Sequence, residues 1–293
     1  MVSDEPGFAS GLAEACVAVM GLGLMGGSLA LGLQGKCKRL LGIDPDPEAL
    51  ALAQRMGVVD EVSADGKDLL PWADAVILAA PVSAILKILA ELPAVHPGRA
   101  VVMDLGSTKT QIMAEMQALP ERFDPIGGHP MCGKEKGSLV HAEAALYQGA
   151  PFALAPLERT SLAARRFALE MIRALGACPV WTNPEEHDEW VASTSHLPYL
   201  LACALALATP PASRVLAGPG YRSTARLAAT PAAMMLDVLV TNRKNILAAL
   251  DRLQAEIICF RDLLSTQSSA KLKERLDAAA DCHSWYLEKA SKP

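Results

Sequence analysis

Short apolar runs alternate with amphipathic stretches along the first 180 residues of the chain, and after that the runs stop. The runs at 17–20, 40–43, 75–80 and 100–105 are too short for helices and are bounded by Gly, Pro or Asp, so they read as strands buried on both faces. Segments of helical period lie between and after them, at 47–56, 82–92 and 109–119, the last entered through Ser107-Thr108 as candidate caps. Two further strands, near 152–154 and 179–181, bracket a helix at 160–175 and complete a sheet. Strands alternating with helices of this length predict a mostly parallel, doubly wound sheet. From Glu185 onward no strand pattern recurs, and the periods at 186–208, 234–264 and 270–289 are helical. The division predicted is residues 14–182 for the sheet domain and 183–293 for a helical one. Residues 232–260 carry Met235, Leu239, Ile246, Leu250, Leu253 and Ile257 at the spacing of one long helix packed on another. Its partner is either within the chain or in a second copy, and a homodimer is the preferred reading, because large apolar helix faces are commonly covered by a partner.

The first apolar run breaks into Gly21-Leu22-Gly23-Leu24-Met25-Gly26 and resumes with helical composition. A Gly-x-Gly-x-x-Gly turn between strand and helix meets a specific need: the first glycine permits the tight turn, the second lets backbone approach a pyrophosphate, and the third lets the helix pack on the strand. The helix N-terminus then faces the phosphates. Eighteen residues beyond Gly26, at the end of the second strand, stands Asp44, placed to accept the ribose hydroxyls and so to favour NAD over NADP. Asp46 is the fallback for that contact; a plain turn residue before Pro45 is the other reading of Asp44. Ala80 and Pro81, after the third strand, complete the expected cofactor-binding set. The fold class is thus α/β: an N-terminal doubly wound Rossmann-type parallel sheet followed by an all-helical C-terminal dimerisation domain.

Composition changes this picture only at its edges. With 293 residues, 51% of them hydrophobic, the chain can bury two modest cores. A net charge of −5 with no run of Lys or Arg excludes the electrostatic footprint of a nucleic-acid or anionic-membrane binder. Seven scattered cysteines without a Cys-x-x-Cys pair argue against structural zinc and for a reducing compartment. The acidic start of the chain lacks the pattern of a signal peptide, so a cytoplasmic location is expected. The apolar stretch at 197–208 contains Pro198 and falls short of the ~20 residues that span a bilayer, so it reads as a buried helix.

Four clusters carry polar chemistry that packing does not require. The segments after Ala80, Leu105 and Ile126 should line one crevice at the carboxyl edge of the sheet. Ser107 sits after the strand at 100–105, where a hydroxyl either caps the next helix or bonds a substrate hydroxyl. His129, within Gly127-Gly128-His129-Pro130-Met131-Cys132-Gly133, reads as one imidazole framed by an exposed, glycine-fixed loop, able to take a proton near neutral pH. Ser195-His196-Leu197-Pro198-Tyr199 opens the helical region. Gly218 to Ala228 holds Arg222 and Arg226 in what reads as a carboxylate-binding loop, since arginine alone offers a planar fork.

Together, Gly-Leu-Gly-Leu-Met-Gly-Gly-Ser-Leu-Ala, Asp104-Leu-Gly-Ser-Thr-Lys, Gly127-Gly-His-Pro-Met-Cys-Gly, Ser195-His-Leu-Pro and Tyr221-Arg-Ser-Thr-Ala-Arg-Leu-Ala resemble the prephenate/arogenate dehydrogenase family of tyrosine biosynthesis, from residue 16 to about 260. The resemblance implies an NAD-dependent oxidative decarboxylation of a cyclohexadiene. In it His129 takes the proton of the ring hydroxyl, Ser107 orients His129 or that hydroxyl, and Arg226 binds a substrate carboxylate. His196 and Tyr199 shape the substrate pocket, and Glu135 acts as an acid at its mouth. Two positions depart from the family pattern: Tyr199 stands where prephenate-using members often carry His, and Ser223 where the family usually has an acid. Two other classes remain open: a β-hydroxyacid dehydrogenase, whose lysine-centred motif has no match in this sequence, and a non-catalytic NAD-binding protein, which would need neither His129 nor Arg226.

Overall fold

The computed structural model describes residues 11–134 and 137–290. The chain divides into two compact units, Met1–Asn242 and Arg243–Pro293.

The first unit is built on an eight-stranded sheet. Its elements are β1 (Cys16–Met20), α1 (Leu24–Leu33), β2 (Arg39–Ile43), α2 (Pro47–Met56), β3 (Glu61–Ser63), β4 (Ala75–Leu78), α3 (Val82–Val95), β5 (Ala100–Asp104), α4 (Thr110–Ala118), β6 (Phe123–Pro130), β7 (Pro151–Pro156), α5 (Leu162–Ala174) and β8 (Cys178–Trp181). The strand order is β3-β2-β1-β4-β5-β6-β7-β8, and every pair is parallel except β6 with β7. The order reverses between β1 and β4, the place where such sheets open a ligand crevice. Residue alternation splits the core into two layers. Val17, Val19 and Ile77 face α1 and α5, whereas Ala18, Met20, Val76 and Leu78 face α3 and α4. Central strands buried on both faces explain the unbroken apolar runs.

After the sheet come α6 (Pro184–Val191), a π-helical turn (Ala192–His196), α7 (Leu197–Ala208), α8 (Pro219–Ala225) and α9 (Ala232–Thr241). The stretch Pro184–Ala208 is long and apolar enough to cross a membrane by length and composition alone. Its first turns, however, carry Glu185, Glu186 and Glu189 and bury His187 and Asp188 against α4, the use a folded domain makes of a helix. The second unit comprises α10 (Arg243–Ser265) and α11 (Ser269–Ala290).

Five local expectations change. The Gly127-Gly128-His129 segment is not an exposed loop but the buried end of β6, paired antiparallel to β7. Its glycines serve close packing: a Cβ at Gly127 would press on Met113 Sδ, and one at Gly128 on the carbonyl of Asp104. The Arg222 and Arg226 segment is helical, because Gly218 and Pro219 start α8, which runs into a 3-10 turn over Arg226–Ala229. The period at 234–264 is interrupted at Asn242, whose backbone leaves the helical region (φ −110°, ψ 24°) while its amide donates to the carbonyl of Asp188 at 2.6 Å. In α7 only Ala202 is buried, and Leu201 and Leu207 stand exposed, so one chain alone does not cover this helix. Finally, β3 has only Val62 as an apolar residue and gave no strand signal; an edge strand of three residues needs little.

Candidate functional site

The glycine turn has the backbone its sequence requires. Gly21 adopts φ +101°, and a side chain there would strike the Ala79 carbonyl of β4's exit. A side chain at Gly26 would strike the Gly21 carbonyl, so α1 could not pack where it does. At Gly23, by contrast, a Cβ would meet nothing within 4 Å, leaving an open face over the start of α1, whose cap residue supplies no side-chain acceptor. An anionic pyrophosphate suits that open helix end. Asp44 follows β2 and lies across the turn, its Oδ2 accepting from Leu22 N at 2.7 Å and its Oδ1 from Asp46 N at 2.9 Å. A carboxylate has room for about four hydrogen bonds, so acceptor capacity remains for ribose hydroxyls. Asp46, the fallback, is occupied as the cap of α2 through Glu48 N at 2.9 Å. Pro81 caps α3, whose Ser83 binds Asp237 of α9 through its hydroxyl at 2.7 Å and tethers the Ala80-Pro81 loop to the helical region. These residues fit a dinucleotide with free ribose hydroxyls. Asp44→Ser should therefore raise the KM for NAD about tenfold or more and lower the ratio of NAD to NADP efficiency, as initial rates with both cofactors would show. An unchanged ratio would move the ribose contact elsewhere.

Beyond the carboxyl ends of β5 and β6 lies a cavity of about 410 Å³, within the size range of small-molecule sites. Ser107, His129, Tyr199 and Arg226 all line it. His129 is buried at the end of β6, and Ser107, half-buried, comes from the loop after β5. Tyr199 comes from the first turn of α7 and Arg226 from the 3-10 turn after α8. Burial, with a hydrogen bond to Cys203, raises the Tyr199 phenol above its ordinary range. Cys132 also lines the cavity, its thiol pushed up to about 11 by burial, hence a neutral wall. His196 does not line it. Its side chain is fully buried, with Nδ1 3.2 Å from the Asn242 amide, and the neighbouring Thr194 and Ser195 of the π-helical turn face the cavity instead. An extra residue per turn rotates that face, a common use of π-bulges at functional sites. Arg222 donates to the Ala217 carbonyl at 3.2 Å on the exposed side of α8. Glu135 lies outside the described residues.

Behind His129 stands a network that the sequence did not reveal. His129 Nδ1 is 2.8 Å from His187 Nε2, and His187 Nδ1 is 2.9 Å from Asp188 Oδ1. Asp188 also accepts from Lys109 N at 2.7 Å, Thr110 N at 2.9 Å and Thr110 Oγ1 at 2.6 Å. The Lys109 ammonium, fully buried, pairs with Asp104, which accepts from Gly106 N at 2.8 Å and Gly128 N at 3.1 Å. The bonds close a ring from His129 through α6, the start of α4 and β5, back to the residue preceding His129. Burial holds His129 well below the ordinary histidine range, and the nearby Lys109 ammonium adds to it. Burial alone would raise Asp188, but hydrogen bonds from His187, Thr110 and Lys109 outweigh it and keep the carboxyl low. The site thus holds a neutral imidazole beside a firmly ionised carboxylate. His187 and Asp188 sit in the acidic run 185–189; their one sequence signal is a helical spacing shared with the buried Val191 and Ala192 at the end of α6 and the start of the π-helical turn.

Comparison with known proteins places this site in context. Residues 29–180 match the family model described as prephenate dehydrogenase, nucleotide-binding domain, and residues 183–278 that described as prephenate dehydrogenase, dimerization domain. The chain is 32% identical over 278 residues to a prephenate dehydrogenase of Bacillus subtilis (strain 168), covering 90% of this chain and 74% of the relative. Among solved structures, a prephenate dehydrogenase from A. aeolicus in complex with hydroxyphenyl propionate and NAD+ superposes with a TM-score of 0.86 at 26% identity, covering 94% of this chain and 99% of that one. A Synechocystis arogenate dehydrogenase superposes with a TM-score of 0.81 at 28% identity, covering 92% and 99%.

Proposed function

Since the chain belongs to the prephenate dehydrogenase family, we propose that it oxidatively decarboxylates prephenate to 4-hydroxyphenylpyruvate, with NAD as acceptor, in tyrosine biosynthesis. The observation that carries this reading is His129: a buried, neutral imidazole on the wall of a 410 Å³ cavity that it shares with Ser107 and Arg226. When bound along Gly21 to Gly26, Asp44, Ala80 and Pro81, NAD supplies a hydride acceptor.

The remaining work falls to the chain. His129 Nε2 accepts the proton of the ring hydroxyl as hydride leaves the same ring carbon. Ser107 holds that hydroxyl, or His129, in line. Loss of carbon dioxide leaves its bonding electron pair in the ring, which becomes aromatic, and aromatisation drives the reaction. Arg226 pairs with a substrate carboxylate by a two-pronged hydrogen bond. Tyr199, half-buried on the wall, contacts the side chain of the substrate. His196 supports the wall from behind, through the π-helical turn.

The functional halves are residues 14–182 and 183–293, the second pairing two copies into a homodimer. Exposed apolar side chains on α7 (Leu207), α9 (Leu236, Val240) and α10 (Ile257, Ile258) support that pairing. Seven cysteines, all unpaired, support a cytoplasmic location.

Tyr199 favours a second reading, arogenate as the substrate, because a phenol bonded to Cys203 on the cavity wall can accept from an ammonium as readily as it can donate to a keto oxygen. Initial rates of NADH formation with prephenate and with arogenate separate the two. Faster turnover of prephenate is expected; preference for arogenate would keep the mechanism and reassign the side-chain pocket. No turnover of either, with NAD bound, would overturn the reading.

A further inference from the structure

We propose that His187 and Asp188 act as a positioning pair that fixes His129 in the tautomer with its proton on Nδ1, so that the lone pair of Nε2 faces the cavity. The inference rests on the reading of His129 as the base in the proposed reaction.

It begins at Asp188, whose two oxygens receive four hydrogen bonds: from Lys109 N and His187 on Oδ1, and from Thr110 N and Thr110 Oγ1 on Oδ2. A carboxylate so filled is ionised and can only accept. His187 must therefore carry its proton on Nδ1, the atom 2.9 Å from Asp188. In the neutral imidazole that leaves Nε2 of His187 as an acceptor, and it stands 2.8 Å from His129 Nδ1. His129 must then donate from Nδ1, and its only basic atom is Nε2. A histidine whose partner were a water or a hydroxyl could take either tautomer, since those groups both donate and accept. Asp188 imposes a direction on two successive bonds.

The same atoms account for α6. His187 and Asp188 are 2% and 1% exposed, in a helix whose first turn is otherwise acidic and solvated. Asp188 also holds the start of α4 through Lys109 N and Thr110 N, so the loop carrying Ser107 and the ring of His129 are set by one side chain.

The test uses the full chain labelled with ¹⁵N in its histidines, without substrate, where two-bond proton–nitrogen correlations report which ring nitrogen carries the proton; the His129 signals are those lost in His129→Asn. The wild type should show His129 as the Nδ1–H form. In His187→Leu, the form should shift toward Nε2–H, and kcat should fall on the order of 10²-fold with KM within about threefold. His187→Gln offers a carbonyl to His129 and an amide to Asp188, so it should keep the Nδ1–H form and recover most of kcat. An Nε2–H signal in the wild type overturns the proposal. So does a kcat in His187→Leu within about threefold of wild type, or a folded His187→Gln no better than the Leu variant. Should His187→Leu fail to fold, the wild-type tautomer and the Gln variant decide. The tautomer is read without substrate, so the absence of turnover with prephenate or arogenate would sink the assigned reaction and leave this result standing.

Discussion

His129→Asn should abolish useful turnover, lowering kcat by about 10²- to 10⁴-fold while NAD still binds and the protein remains folded. Asparagine can hold the position of one ring nitrogen but cannot take a proton at any accessible pH, so the loss measures proton abstraction rather than packing. The glycine turn and Asp44 do not contact His129, and NAD affinity by fluorescence titration is expected to stay within about twofold, because distant sites are independent. The wild-type pH profile carries a second signature. In its proposed role His129 works only when neutral, and its folded value lies well below the ordinary 6.5, through burial first and then the Lys109 ammonium. Protonation is thus postponed to lower pH, and kcat/KM should persist through pH 6.5 and fall only below it. An acid limb at or above 6.5, with chemistry rate-limiting, would mean that the free enzyme's His129 is not held neutral by its surroundings.

The parts of this site that the sequence made legible are those where one residue type answers one backbone need. Gly21 and Gly26 are forced by a positive φ and a close approach, and the strands β1, β4 and β5 by burial on both faces; such demands leave a local trace. The place of Asp44 at the end of β2 was legible for the same reason, being one carboxylate at one strand end. The frame around His129 was misread because glycine answers two needs. Gly127 and Gly128 are there to let α4 and β5 pack against β6, not to shape a loop. His187 and Asp188 were opaque for a deeper reason: each is explained only by a partner far along the chain, 58 residues from His187 to His129 and 79 from Asp188 to Lys109. A charged residue in an acidic run looks solvated until tertiary structure buries it. The break at Asn242 is of the same kind, a helix period ended by a bond to Asp188.

Lys109→Met should cost about 3–5 kcal/mol of stability, the typical result of stripping one partner from a buried ion pair. Methionine nearly preserves the volume, so the loss comes from charge: Asp104, fully buried, is left without its cation while still accepting from Gly106 N and Gly128 N. Denaturant midpoints at fixed protein concentration would measure it, with concentration held because any association of copies would make apparent stability depend on it. The double variant Asp104→Asn/Lys109→Met should recover more than half of the loss, since it removes both charges and leaves an amide oxygen for the backbone donors. A Lys109→Met protein as stable as the wild type would mean that the pair contributes nothing beyond filling space. The variant also reaches the chemistry. Lys109 is one of the charges that disfavour protonation of His129, and burial of the imidazole is unchanged by the substitution, so losing that charge should move the acid limb of kcat/KM upward, toward 6.5. One substitution then lowers stability and raises the proton affinity of the base, two effects that a simple packing defect at α4 would not produce together.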